Sequence, residues 1–208
     1  IVKEEAADVA NENIRRYIDK IISTSSRMSR LLKDLLSFTK INQQEPETIV
    51  NLNDIVSQIK EDLELALTQT HATLTSETLP SVKGRPLQLR QMFYNVINNS
   101  IKYKKADQPP VISISCAMLE AEKRKTFITL EDTHYWEIVI KDNGIGFDQK
   151  YANQIFTVFQ RLHSRSSYEG TGIGLAITKK VVANHRGEIF AISSPGNGAA
   201  FHLILPAI

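Results

Sequence analysis

The sequence lacks the features that mark secreted, membrane-spanning and nucleic-acid-binding proteins. A single cysteine, Cys116, excludes an intrachain disulfide and fits a reducing compartment. No apolar run approaches the roughly 20 residues that cross a bilayer. The formal net charge is only +2, which indicates neither membrane insertion nor a nucleic-acid surface. We therefore predict a cytoplasmic protein, either free or as the cytoplasmic part of a larger, membrane-anchored one.

Glycine and proline are also absent between Lys3 and Asn42, where apolar residues recur in steps of three and four. Two overlapping apolar seams form a stripe wider than that of a two-stranded coiled coil. The stretch predicts a helix of about 40 residues, roughly 60 Å long at 1.5 Å per residue. We predict a bundle helix and linker in residues 1–44 and a second domain in residues 45–208. An ordinary surface helix of the second domain is the alternative.

The second domain alternates predicted helices with predicted strands. Strands are predicted at 48–50, 72–75, 111–118, 127–130, 136–141, 188–192 and 200–205. Helices are predicted from Asn51 or Asn53 to about Leu67, from Pro86 onward, near 151–158, and over 173–184. This mixture indicates an α+β fold, a two-layer sandwich with a mixed, mostly antiparallel sheet.

Three polar motifs lie in order along this domain, and the first is on the helix that begins at Pro86. Asn95 and Asn99 are four residues apart and share one helix face, which Lys102 and Tyr103 continue. An amide oxygen is a suitable ligand for Mg²⁺, and a lysine adds positive charge toward phosphates. The alternative is the solvated back of an amphipathic helix.

The second motif follows a strand that ends at Asp142. Gly144 and Gly146 allow the backbone to turn sharply before Phe147 and to approach a flat ligand closely. The Asp142 carboxylate is a suitable acceptor for an exocyclic amine such as that of adenine. The alternative is an ordinary turn that leaves a strand.

The third motif is a glycine-rich loop before the last predicted helix. It consists of Gly170, Thr171, Gly172, Ile173, Gly174 and Leu175. Backbone N–H groups at such a helix start form an anion site, although a flexible loop with a helix cap is the alternative. The polar stretch 161–169 before it is typical of a mobile lid. Three motifs in this order are suited to bind the two ends of one nucleotide.

Together the segments 95–103, 142–147, 156–162 and 169–177 resemble the ATP-binding domain of sensor histidine kinases. The resemblance is to phytochrome-like two-component kinases, within the superfamily that includes gyrase, Hsp90 and MutL, and it covers residues 47–208. It implies a Bergerat-type fold that binds ATP and Mg²⁺ beneath a lid. Residues 1–42 resemble the second helix of the hairpin through which such kinases form homodimers.

The resemblance also implies a role for each matching residue. Asn99 would bind Mg²⁺ with Asn95 in support, and Lys102 would approach phosphate. Tyr103 would line the pocket, and Asp142 would hold the adenine amine. The other implied nucleotide contacts are Gly144, Gly146, Phe147, Arg161, Gly170, Thr171, Gly172, Ile173, Gly174 and Leu175. The γ-phosphoryl group of ATP would pass to a histidine and then to an aspartate in the receiver domain of a response regulator.

One position separates a kinase from a hydrolase. Gyrase-like and Hsp90-like ATPases carry a glutamate one turn before the metal-binding asparagine, where it acts as a general base. Asn95 occupies that position here, and an amide does not accept a proton near pH 7. The sequence thus favours a kinase over a free-standing ATPase. A non-catalytic nucleotide-binding or scaffold module derived from a histidine kinase is the other alternative.

The acceptor histidine is not among the residues of this chain. The five histidines are His71, His134, His163, His185 and His202, and none has the acidic neighbour on a bundle helix that an acceptor requires. We therefore assign no catalytic nucleophile and expect the acceptor on a helix before Ile1. Two departures from the family pattern are Arg85, in place of a capping aspartate, and Ala199–Ala200, in place of hydroxyl residues near adenine.

Overall fold

The structure is a computed structural model, and it describes residues 14–26, 28, 29, 32, 36, 45–124, 127, 134–162 and 171–208. The chain divides into two units, Ile1–Lys40 and Ile41–Ile208. The domain division after residue 44 stays a prediction. Every predicted nucleotide contact falls in the second unit.

The first unit contains a helix over residues 14–26, and residues 28, 29, 32 and 36 are helical as well. The large apolar side chains that the structure describes in this unit are 48–67% exposed; they are Ile14, Tyr17, Ile18, Ile21, Ile22, Met28, Leu32 and Leu36. The remainder of the predicted 40-residue helix lies outside the described residues. None of the described helices has both the length and the hydropathy needed to cross a membrane.

The second unit begins with a short strand and two consecutive helices. These are β1 (Thr48–Asn51), α1 (Leu52–Asp62) and α2 (Glu64–Thr70). The Asn51 side chain caps α1 by accepting a hydrogen bond from the backbone N–H of Asn53. The prediction of one helix through Leu67 is wrong, because the backbone of Leu63 leaves helical geometry and separates α1 from α2.

Seven strands of the described residues form two sheets. The strands after β1 are β2 (Thr73–Ser76), β3 (Ser81–Gly84), β4 (Val111–Met118), β5 (Tyr135–Asp142), β6 (Glu188–Ser193) and β7 (Ala199–Pro206). β1 and β3 form an antiparallel pair, and the larger sheet has the order β2-β4-β5-β7-β6. Only β2 and β4 are parallel there, which confirms the predicted mixed, mostly antiparallel sheet.

The remaining helices include the two that form the layer beside this sheet. They are α3 (Pro86–Lys102), α4 (Ala121–Arg124) and α5 (Gly174–Asn184), with 3-10 turns at Gln149–Tyr151 and Gln154–Phe156. α3 and α5 pack together against the sheet. The core between the layers includes Leu89, Phe93, Val96, Ile97, Ile112, Ile138, Ile140, Val181 and Leu203, all at most 1% exposed. Each such side chain contributes about 1.5–3 kcal/mol on burial, so the apolar faces account for the predicted two-layer fold.

Two further predictions differ from the structure. The short helix predicted near 151–158 is instead the pair of 3-10 turns. Phe127 is not in a strand, and the rest of the strand predicted at 127–130 lies outside the described residues. The hairpin predicted from 188 to 205 is confirmed as β6 and β7, which pair antiparallel.

Helix α3, which carries the first motif, is capped by a distant segment. Arg85 at its N-cap position makes no capping hydrogen bond through its side chain. Glu45 replaces that cap, since its Oε1 accepts a hydrogen bond of 2.9 Å from the backbone N–H of Leu87. The Arg85 guanidinium lies 3.2 Å from the Glu47 carboxylate and also donates to the Glu45 carbonyl. The departure at Arg85 therefore leaves the helix start stabilised.

His185 connects the end of α5 to the start of α3. Its ring is buried, its Nδ1 lies 2.7 Å from the Val181 carbonyl, and its Nε2 accepts a hydrogen bond of 2.9 Å from the Arg85 backbone N–H. Burial lowers the pKa of His185, and the Arg85 guanidinium adds to this effect. The hydrogen bond to Val181 and the Glu47 and Glu45 carboxylates oppose it. The ring is therefore neutral near pH 7, with its proton on Nδ1.

We expect this neutral ring to make stability depend on pH. The folded-state pKa of His185 lies below that of an unfolded histidine, so its contribution is complete above about pH 6.5. That contribution is lost as the pH falls through the folded-state pKa, because a charged ring would present a donor to the Arg85 N–H. The free energy of unfolding, measured in urea at pH 8 and pH 5, should change less with pH in His185→Gln than in wild type. At pH 8 the variant should be less stable than wild type by about 1 kcal/mol.

The control for this experiment is His71→Asn, at an exposed position with φ of 52° that asparagine tolerates. This variant should retain the pH dependence of wild type. An equal pH dependence in His185→Gln and wild type would show that the His185 ring is not responsible.

Candidate nucleotide-binding site

A cavity lies where the carboxyl end of β5, the second half of α3 and the start of α5 come together. It is lined by Asn99, Tyr103, Asp142, Ile145, Gly146, Phe147, Ile155, Gln160, Arg161, Leu162, Leu175, Ala199 and Phe201. Seven of these residues were predicted as nucleotide contacts: Asn99, Tyr103, Asp142, Gly146, Phe147, Arg161 and Leu175. The fold thus brings residues of all three motifs to one cavity.

Asp142 is a buried carboxylate held by donors on both oxygens. It is 8% exposed, and its Oδ1 accepts the backbone N–H groups of Gly144 at 2.8 Å and Ala199 at 3.2 Å. Its Oδ2 lies 3.1 Å from the hydroxyl of Ser100. Burial raises the pKa of Asp142, and these three hydrogen bonds lower it. These hydrogen bonds orient the Asp142 carboxylate, which is a hydrogen-bond acceptor at the wall of a mostly apolar cavity.

Hydrogen bonds from β6 and the turn after it hold the loop that follows Asp142 in place. The Ser193 hydroxyl donates to the Gly198 carbonyl at 2.6 Å and accepts a hydrogen bond of 2.9 Å from the Phe147 backbone N–H. The Gln149 side chain bonds to the β6 backbone, donating to the Ala191 carbonyl and accepting from the Ser193 N–H. These bonds fix Phe147 and its neighbours beside the cavity.

The two asparagines of the first motif have different surroundings. Asn99 lines the cavity, and its amide makes no hydrogen bond to another residue that the structure describes. Asn95 lies beside α5, where its Nδ2 donates to the Gly174 carbonyl at 2.9 Å and its Oδ1 accepts from Gln91 at 2.8 Å. Asn95 therefore joins α3 to the start of α5, and Asn99 keeps an amide for a ligand.

Lys102 and Tyr103 contact each other at the end of α3. The Lys102 ammonium lies 3.0 Å from the Tyr103 hydroxyl and 4.4 Å from the centre of its ring. Tyr103 lines the cavity, so this contact holds a positive charge next to the cavity wall.

The glycine-rich motif lies at the N-terminus of α5. Gly170 is outside the described residues, Thr171, Gly172 and Ile173 precede α5, and Gly174 and Leu175 begin it. The Phe159 backbone N–H donates to the Gly172 carbonyl at 3.0 Å, so the chain before and after residues 163–170 meets here. Most of the predicted lid at 161–169 lies outside the described residues.

Several cavity residues were not predicted from the sequence. They are Ile145, Ile155, Gln160, Leu162 and Phe201, whereas Ala199 was already placed near adenine as a departure from the family pattern. Ile145, Gln160 and Leu162 lie inside the motifs 142–147 and 156–162, so the motifs themselves contained the signal. The contacts of Ser100 and Ser193 cross 42 and 46 residues of sequence, which no local pattern indicates.

A model of the family described as histidine kinase-, DNA gyrase B- and HSP90-like ATPases matches residues 84–208. The chain belongs to this ATPase family. The phytochrome-like protein Cph1 of Synechocystis sp. is 32% identical over 201 residues, which are 96% of this chain and 25% of Cph1. This member of the ATPase family spans about a quarter of the length of that relative.

Solved structures show that this ATPase-family chain has the histidine kinase fold. Full-length ShkA in complex with AMPPNP matches with a TM-score of 0.67 at 19% identity, covering 92% of this chain and 38% of ShkA. Histidine kinase ThkA in complex with the response regulator TrrA matches with a TM-score of 0.66 at 18% identity, covering 95% of this chain and 52% of ThkA. The Bergerat-type sandwich implied by the motifs is confirmed.

The cavity also fits the nucleotide that the ATPase family implies. Asp142 is a buried acceptor of the kind that an exocyclic amine requires, and the apolar side chains of Ile145 and Phe201 are suited to contact a flat ring. Asn99 supplies a neutral amide on the same cavity. The lining is therefore compatible with the adenine base of such a nucleotide.

Proposed function

We propose that this chain is the ATP-binding part of a two-component sensor histidine kinase. The observation that carries the proposal is that one cavity brings together the buried Asp142 acceptor and the uncommitted Asn99 amide. In this proposal Asp142 binds the adenine amine and Tyr103 lines the base pocket. The γ-phosphoryl group of ATP is transferred to a histidine that is not among the five in this chain.

The residues proposed to bind the phosphates of ATP line the same cavity or lie next to it. Asn99 would hold Mg²⁺ through its amide oxygen, a hard neutral ligand that suits this ion. The ion, when bound, would neutralise charge on the phosphates during transfer. Lys102 and Arg161 would add positive charge, and backbone N–H groups at the start of α5 would orient the phosphate oxygens.

The surroundings of Asn95 favour phosphoryl transfer over hydrolysis. Its amide is committed to Gln91 and Gly174, and it has no proton-accepting group to activate water. A water molecule in this position would therefore lack a general base from Asn95. This supports a kinase over a free-standing ATPase.

Two partners follow from the proposed activity. A response-regulator receiver domain would accept the phosphoryl group on an aspartate, and the ThkA–TrrA complex supports such a partner. A second copy of the chain would cover the apolar stripe of the first-unit helix, where Ile14, Ile18 and Ile21 are exposed. Since ATP and response regulators are cytoplasmic, we place the chain in the cytoplasm.

The proposal is tested with radiolabelled Mg-ATP and a separately purified phosphotransfer hairpin that carries an acceptor histidine. We expect acid-labile label on the hairpin and little release of free phosphate when the hairpin is omitted. Steady phosphate release without the hairpin would favour the free-standing ATPase. No binding of an Mg-ATP analogue in calorimetry would favour a non-catalytic scaffold.

A further inference from the structure

Ser100 is a buried hydroxyl that faces the acceptor of the cavity. It is 2% exposed on α3, and its Oγ lies 3.1 Å from Asp142 Oδ2 and 3.2 Å from the Val96 carbonyl. Both neighbours are acceptors for a single hydroxyl proton, and the charged Asp142 carboxylate attracts it more strongly than the neutral Val96 carbonyl does. Ser100 is therefore a donor to the Asp142 carboxylate.

The donors around Asp142 leave one acceptor position for a ligand. Oδ1 already accepts two backbone N–H groups, from Gly144 and Ala199, which match its two lone pairs. Oδ2 accepts from Ser100 on one side only, so its other lone pair remains for a group in the cavity. A carboxylate held in this way presents an acceptor and no donor.

We propose that Ser100 is a specificity-determining positioning residue. Its hydroxyl keeps Oδ2 of Asp142 an acceptor, so the cavity selects a base with an exocyclic amine over one with a carbonyl at that place. This inference rests on the proposed function, because it takes Asp142 as the residue that meets the base. The added claim is that the cavity binds adenine nucleotides more tightly than hypoxanthine nucleotides.

Loss of the hydroxyl changes what Asp142 presents. Without this donor the buried carboxylate keeps only its two backbone hydrogen bonds, both on Oδ1, and binds a proton more readily. The proton then lies on Oδ2, where an O–H group can donate to a carbonyl oxygen. Arg161 and Tyr103 are the other titratable side chains of the described residues that line this cavity, and both stay unchanged in the test.

The test compares binding of Mg-ATP and Mg-ITP, whose base has a carbonyl where adenine has its amine. Calorimetric titrations at pH 6 and pH 8 would use wild type, Ser100→Ala and Ser57→Ala, a control at an exposed position of α1. Ser100→Ala should bind Mg-ATP roughly tenfold more weakly at pH 6, with a smaller loss at pH 8. Its preference for Mg-ATP over Mg-ITP should shrink roughly tenfold, and Ser57→Ala should match wild type.

Two further variants separate this role from a structural one. Ser100→Thr keeps the hydroxyl and should retain the preference for Mg-ATP. Ser100→Cys leaves no cavity and has a weaker donor, so it should behave as Ser100→Ala does. It provides the test if the alanine variant fails to fold in a thermal melt.

If Ser100→Ala loses affinity for both nucleotides equally at both pH values, or loses none, the proposed role of Ser100 is overturned. The proposed function of the chain as an ATP-binding domain would still stand. Failure of wild type to bind Mg-ATP would instead overturn the proposed function, and this inference with it.

Discussion

Replacing Asp142 with asparagine is expected to weaken binding of Mg-ATP by roughly a hundredfold. The amide oxygen of the variant would stay with the N–H groups of Gly144 and Ala199, because only an acceptor fits there. Its NH₂ group would then replace Oδ2, with one N–H donating to the Ser100 hydroxyl, whose own proton can turn to the Val96 carbonyl. The other N–H would point at the adenine amine. Two donors facing each other without an acceptor cost about 1–3 kcal/mol in addition to the lost charge-assisted bond.

Calorimetric titration with Mg-ATP and Mg-ITP would measure this effect. Asp142→Asn should lose much less affinity for Mg-ITP, since its NH₂ group can donate to the carbonyl of that base. Asp107→Asn, which makes the same chemical change at an exposed position, should bind both nucleotides as wild type does. Unchanged Mg-ATP binding by Asp142→Asn would place the base elsewhere and remove the main support for the proposed site.

The regular elements were predictable where the apolar pattern and the local caps agree. Helix α3 begins at Pro86 as predicted, because proline suits the first helical position. β4 was predicted over its full length from its alternating apolar residues. β3 was missed, because its four residues, Ser81–Gly84, include only one apolar side chain and form a strand by pairing with β1.

The site was predictable to the extent that its chemistry lies within a motif. Asn99 and Asp142 stand in segments whose spacing already indicates a nucleotide. The hydrogen bonds that orient Asp142 come from Ser100 and Ala199, which lie 42 and 57 residues away in sequence. The commitment of Asn95 to Gly174 is likewise a contact across 79 residues. Such pairings depend on the packing of α3, α5 and the sheet, and they appear only in the folded chain.

Two glycines in the turn between β6 and β7 provide a matched pair of substitutions. Gly196 and Gly198 both have positive φ, +80° and +74°, so alanine is strained at either position. A Cβ at Gly196 would meet no atom of the described residues within 4 Å. A Cβ at Gly198 would lie 2.0 Å from the backbone oxygen of Asp142, so the turn or the end of β5 must move.

We therefore expect Gly198→Ala to lower the free energy of unfolding by about 3 kcal/mol or more, because an overpacking cost is added to the backbone strain. Gly196→Ala should lose only about 1 kcal/mol, the cost of that strain alone. Urea unfolding gives both values, and Mg-ATP titration of the folded fraction gives the second readout. Because Gly198 contacts Asp142, its variant should also bind Mg-ATP at least tenfold more weakly, whereas Gly196→Ala should bind normally. Equal effects of the two substitutions on stability and on binding would show that the close approach of Gly198 to Asp142 does not position the acceptor.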